Sequence, residues 1–79
     1  MGQRIPMIDA KVMIKFIISL GFAEIRQKGS HKFYKHPDGR TATVPVHKGE
    51  DLGRGLTNKI LKDVEINREE FIRWLNKKK

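Results

Sequence analysis

An α+β domain of two layers, with helices on one face of a three-stranded antiparallel sheet, is predicted by three features of the sequence. Apolar residues recur at helical spacing up to Leu20, at a period of two from Phe22 to Val46, and at helical spacing again from Leu56. Two short breaks, Gly29-Ser30 and His36-Pro37-Asp38-Gly39, divide the alternating stretch, so its strands form a meander. Ile, Leu, Val and Phe supply 22 of 79 residues, enough to fold one core and too few for a second.

The first helix is expected over Asp9 to Leu20. Asp9 can accept the free N–H groups of the first turn, and Gly21 suits the left-handed residue that ends a helix. Ala10, Met13, Ile14, Ile17 and Leu20 form one face, but Val12, Phe16 and Ile18 fall outside it, with only Lys11, Lys15 and Ser19 polar. Such a helix is either packed deeply or meets another chain. Ala23 and Ile25 alternate with Glu24 and Arg26 in a first strand. His31 to His36 is the second strand, and Thr41 to Val46 the third. Pro45 cannot donate to a ladder, so the third strand is an edge or ends there. Leu56 to Val64 is a helix burying Leu56, Ile60, Leu61 and Val64. Asn67-Arg68-Glu69-Glu70 has the form of a capping box opening a last helix with Phe71, Trp74 and Leu75 on its stripe. The resulting order, α-β-β-β-α with a further C-terminal helix, is that of double-stranded RNA-binding domains.

The charge is one-sided. Seventeen Lys and Arg face nine Asp and Glu, a net charge of +8 with a sequence pI near 10.1. Arg26, Lys28, Lys32, Lys35, Arg40 and Lys48 lie in one window whose only acid is Asp38, together with all three histidines, His31, His36 and His47. That surface suits a phosphate backbone, with binding that weakens as salt rises. The bland alternative is an ordinary solvated strand face. Phe33 and Tyr34, as strand neighbours, point to opposite faces. Phe33, with no polar group, is expected in the core, leaving Tyr34 either to stack on a base or to serve as a cross-strand packing partner.

Gly29-Ser30-His31 is the candidate reactive triplet. An imidazole can take or give a proton near neutral pH. Gly29 permits close backbone approach and the amides around Ser30 could hold a phosphate oxygen, while Lys28 and Lys32 flank the triplet. Metal binding is disfavoured: there is no Cys, and His31 and His36, five apart on a strand, point to opposite faces. A Ser30 nucleophile with His31 as its base is geometrically poor, and no phosphate-binding glycine loop of the nucleotide-binding types is present. No membrane span or signal peptide is expected, so the default is a cytoplasmic protein.

Gly21-Phe22, Gln27-Lys28-Gly29-Ser30-His31, His36-Pro37-Asp38-Gly39-Arg40, Val44-Pro45-Val46-His47, Leu52-Gly53-Arg54-Gly55-Leu56 and Ile60-Leu61-Lys62, in that order, resemble the HicA family of mRNA interferase toxins. The likeness spans about Asp9 to Ile66 of one domain covering residues 1–79, leaving 67–79 as a helical extension. It implies a fold similar to the double-stranded RNA-binding domain. It also implies a type II toxin that cleaves mRNA without metal or other cofactor, restrained by a HicB-type antitoxin. By the same resemblance His31 is catalytic. Lys28, Gly29, Ser30, Lys32, Tyr34, Lys35, Arg40, His47 and Lys48 are the expected RNA-binding set. RNA supplies its own nucleophile, the 2′-OH, so one proton-transfer group can be His31 and the other either His47 or water. Two competing readings are a non-catalytic RNA-binding module and an interaction domain assembled through the apolar first helix.

Overall fold

The computed structural model describes residues 5–77; residues 1–4, and with them the charged start of the chain, and Lys78-Lys79 of the terminal lysine run lie outside the described residues. Helix α1 (Ala10–Ser19) is followed by strands β1 (Ala23–Lys28), β2 (His31–Lys35) and β3 (Thr41–Pro45), then helices α2 (Arg54–Asp63) and α3 (Arg68–Lys77). The strands pair antiparallel in the order β1-β2-β3. The α+β fold, with its meander and helices, is the expected one. Among the described residues no helix is long and apolar enough to cross a membrane.

Local chemistry accounts for the element ends. The Asp9 carboxylate accepts from the Val12 N–H at 3.0 Å. After the Leu20 C-cap, Gly21 takes φ +106°, its N–H reaches the Ile18 carbonyl, and the Phe22 N–H reaches that of Ile17. These two bonds form a Schellman motif, and Phe22 carries the chain straight into the core at 2% exposure. Helix α2 ends the same way: the Glu65 N–H bonds to the Lys62 carbonyl and the Ile66 N–H to that of Leu61. Here a non-glycine residue, Glu65, occupies the left-handed position at φ +61°. Asn67 caps α3 by accepting from the Glu70 N–H at 2.8 Å. β3 is an edge strand, and Pro45 is its last residue.

Met13, Ile17, Tyr34, Val44, Ile60, Val64 and Phe71 are among the side chains fully buried between the helices and the inner sheet face. The surplus apolar surface of α1 finds its cover in α3. Phe16 is 1% exposed, with its ring 4.7 Å from Phe71 and 5.1 Å from Trp74. Val12 is half-buried against the core, and only Ile18 of the three residues remains exposed. The segment before α1 is tied to the loop before α2: Leu52 donates to the Ile8 carbonyl at 2.8 Å and Arg54 Nε to that of Ile5 at 2.7 Å. This fixes where α2 starts relative to the sheet.

Candidate active site and nucleic-acid interface

Strand alternation sorts the basic residues. Tyr34, Ala42 and Val44 point inward and are buried, so His31, Phe33 and Lys35 of β2 point outward, as do their ladder partners Pro45, Thr43 and Thr41. The inverse assignment of Phe33 and Tyr34 is therefore corrected: Tyr34, 1% exposed, is a core residue that no base can reach, while Phe33 lies on the open face. Burial, and then the charge of Glu24, push the Tyr34 phenol above its usual range.

β1 contains a bulge at Ile25: Glu24 pairs with Tyr34, but Arg26 pairs with Phe33. Regular alternation would leave Glu24 and Arg26 on one face; the extra residue separates them. Arg26 then sits on the outer face, its guanidinium 4.7 Å from the centre of the Phe33 ring, and Lys28 sits directly across from His31. Glu24 turns to the inner side and pairs with Lys32 at 3.7 Å. Lys32 is thus not a second flank of the triplet: it lies on the opposite face from His31, held by a carboxylate.

Gly29-Ser30 forms a two-residue hairpin loop between Lys28 and His31. Gly29 has φ +60° while Ser30 keeps a negative φ, the φ pattern of a type II′ turn, which favours glycine at its first central position. A Cβ on Gly29 would meet nothing within 4 Å, so the requirement is conformational. The His31 imidazole is exposed, and among the described residues its ring makes no hydrogen bond or ion pair. Val46 donates to the Ser30 carbonyl at 2.6 Å, which brings the loop carrying His47 and Lys48, both exposed, to the same end of the sheet.

His36 and Arg40 sit beyond the other end of β2, more than about 13 Å along the strand from His31. His36 Nε2 donates to the Leu20 carbonyl at 3.0 Å and Nδ1 accepts from the Asp38 N–H at 3.1 Å. Arg40 Nε donates to Asp38 at 2.8 Å, and Nη1 donates to the Val64 carbonyl. A guanidinium there caps the C-terminus of α2 and complements its dipole. Arg40 is therefore committed to the fold rather than presented on the His31 face. Hydrogen bonding from the Arg40 backbone, helped by its side chain, holds the Asp38 carboxyl below the usual carboxylate range.

At the β3 edge, residues of the outer face adjoin α2. A groove of about 180 Å³ is lined by His31, Thr43 and Pro45 from the sheet and by Leu56, Lys59, Ile60 and Asp63 from α2. Sequence reasoning placed Arg26 in the basic window but left it out of the binding set, put Phe33 in the core, and missed Lys59. The outer position of Arg26 depends on the bulge, and that of Phe33 on which side of β2 the helices cover. Lys59 depends on where α2 meets the β3 edge, for which the sequence carries no local signal.

Comparison with curated proteins gives no match. Residues 10–66 match a family model, described as the HicA toxin of bacterial toxin–antitoxin.

Proposed function

The chain belongs to the HicA toxin family, and on that premise we propose that this toxin of a toxin–antitoxin system is an endoribonuclease that cuts mRNA at a site centred on His31. The observation that carries this reading is the exposed His31 imidazole on the open basic sheet face, opposite Lys28 and beside the Gly29-Ser30 turn. RNA laid along that face meets Arg26, Lys28 and Lys35 on the same side as the imidazole. His31 removes the proton of a ribose 2′-OH. The freed oxygen attacks the adjacent phosphorus, a new P–O2′ bond forms as the P–O5′ bond breaks, and the leaving 5′-oxygen takes a proton from His47 or from water. The products are a 2′,3′-cyclic phosphate and a 5′-hydroxyl. Lys28 and the amides of the turn stabilise charge on the phosphoryl oxygens. The step needs no metal.

The restraining partner in this reading is a HicB-type antitoxin that covers the basic face, and the site of action is the cytoplasm, where message is found. Purified protein is expected to shorten single-stranded RNA in excess EDTA and to leave cyclic-phosphate ends. Tight duplex binding without any shortening would instead make it a non-catalytic RNA-binding module.

A further inference from the structure

The groove between His31 and α2 contains a cation that the triplet does not explain. Its sheet wall is Thr43 and Pro45, its apolar floor Leu56 and Ile60, and its outer rim Lys59, whose side chain is 69% exposed. Lys59 Nζ is held 3.1 Å from Asp63 one turn along α2. Beyond Asp63 the β3–α2 seam widens into a second groove of about 560 Å³, lined by Asp38, Arg40, Asp63 and Glu65 among others, with Arg40 already paired to Asp38. Along the seam Lys59 and Asp63 offset each other at the His31 end, while Asp63 and Glu65 leave the far end of β3 net anionic.

We propose that the His31 end of this seam is a subsite for one unpaired nucleotide of the RNA, with Lys59 as its phosphate-binding residue. This rests on the reading of His31 as the reacting group. A phosphate entering the groove exchanges the carboxylate partner of Lys59 for its own oxygens. The apolar floor takes one face of the base, and the groove leaves no room for a pairing partner. Carboxylates at the other end repel the next phosphates, so the strand leaves the seam at Asp63 and continues over the outer face towards Arg26 and Lys35. Lys59 thereby supplies, from a helix, the second cation that Lys32 cannot supply from the opposite sheet face.

The test is binding of a single-stranded 2′-O-methyl RNA, which cannot be cut because its nucleophile is blocked. Lys59→Met is compared with Lys62→Met, which removes the same charge from the same helix outside both grooves. Both variants are first shown to melt as the wild type does. Lys59→Met is expected to lower the slope of log affinity against log salt by about 0.7, the value for one lost phosphate contact on a single strand, with Lys62→Met near zero. Lys59→Arg restores the slope. Equal losses for the two methionine variants, or no recovery with arginine, overturn the proposal. If His31→Ala still cuts RNA, the catalytic reading fails, while the binding comparison at Lys59 stands or falls by itself.

Discussion

Two residues of the same charge class, Lys28 and Arg40, do opposite jobs. Lys28 stands across the ladder from His31, whereas Arg40 ties the β2–β3 turn to the end of α2. Arg40→Ala is expected to cost about 2 kcal/mol, typical for a lost hydrogen bond to a charged group, while leaving the salt slope of RNA binding unchanged. Denaturant unfolding and salt-dependent binding measure the two effects separately. Asp38, whose pKa is lowered, adds stability that is present above the ordinary carboxylate range and is lost as pH falls through its depressed value. Tyr34 has the opposite sense. Its raised pKa means that the folded state keeps the phenol proton, so stability holds below about pH 10 and falls as pH rises further. Ultraviolet titration is expected to show tyrosinate forming later in the folded protein than in urea. Composition could not order Phe33 and Tyr34. Both faces of His31 to His36 carry one aromatic and basic neighbours, so only the ladder decides which side is inside.

Three helix boundaries were readable from a capping side chain or a glycine: Asp9, Gly21 and Asn67 all sit where their chemistry predicts, whereas α2 starts at Arg54 after a Gly53 N-cap, two residues before the expected Leu56. The end of α2 carries no such mark, because Glu65 adopts the left-handed conformation without being glycine. Glu65→Gly is therefore expected to stabilise the protein by about 1 kcal/mol, read as a raised melting temperature. Gly21→Ala is the counterexample. It adds a Cβ 2.9 Å from His36 Nε2 at φ +106°, so both the backbone and the His36–Leu20 bond are strained. The bulge at Ile25 was also unreadable: a two-residue period continues through the sequence, while the pairing does not. α3, outside the matched residues 10–66, closes the core over Phe16. Phe71→Ala is expected to destabilise by about 3–5 kcal/mol, which denaturant unfolding measures. That outcome would make the extension part of the same folding unit.

At the scale of the molecule, the net charge of +8 is organised by the sheet. The outer face carries Arg26, Lys28, His31 and Lys35, while the inner face holds the core and, beside it, the Glu24–Lys32 pair. A helix layer covering one side leaves the other free for a polyanion. With about four phosphate contacts on a single strand, affinity is expected to fall about fiftyfold between 50 and 200 mM salt. The resemblance in sequence was enough to name the family. It did not reveal that α2 contributes to the same face, because that depends on packing between segments far apart in the chain. The decisive experiment is cleavage of single-stranded RNA in excess EDTA by wild-type and His31→Ala proteins of matched circular dichroism. Loss of activity by about 10² to 10⁴-fold in the variant is expected of a proton-transfer group. Undiminished cleavage by the folded variant would remove His31 from the reaction.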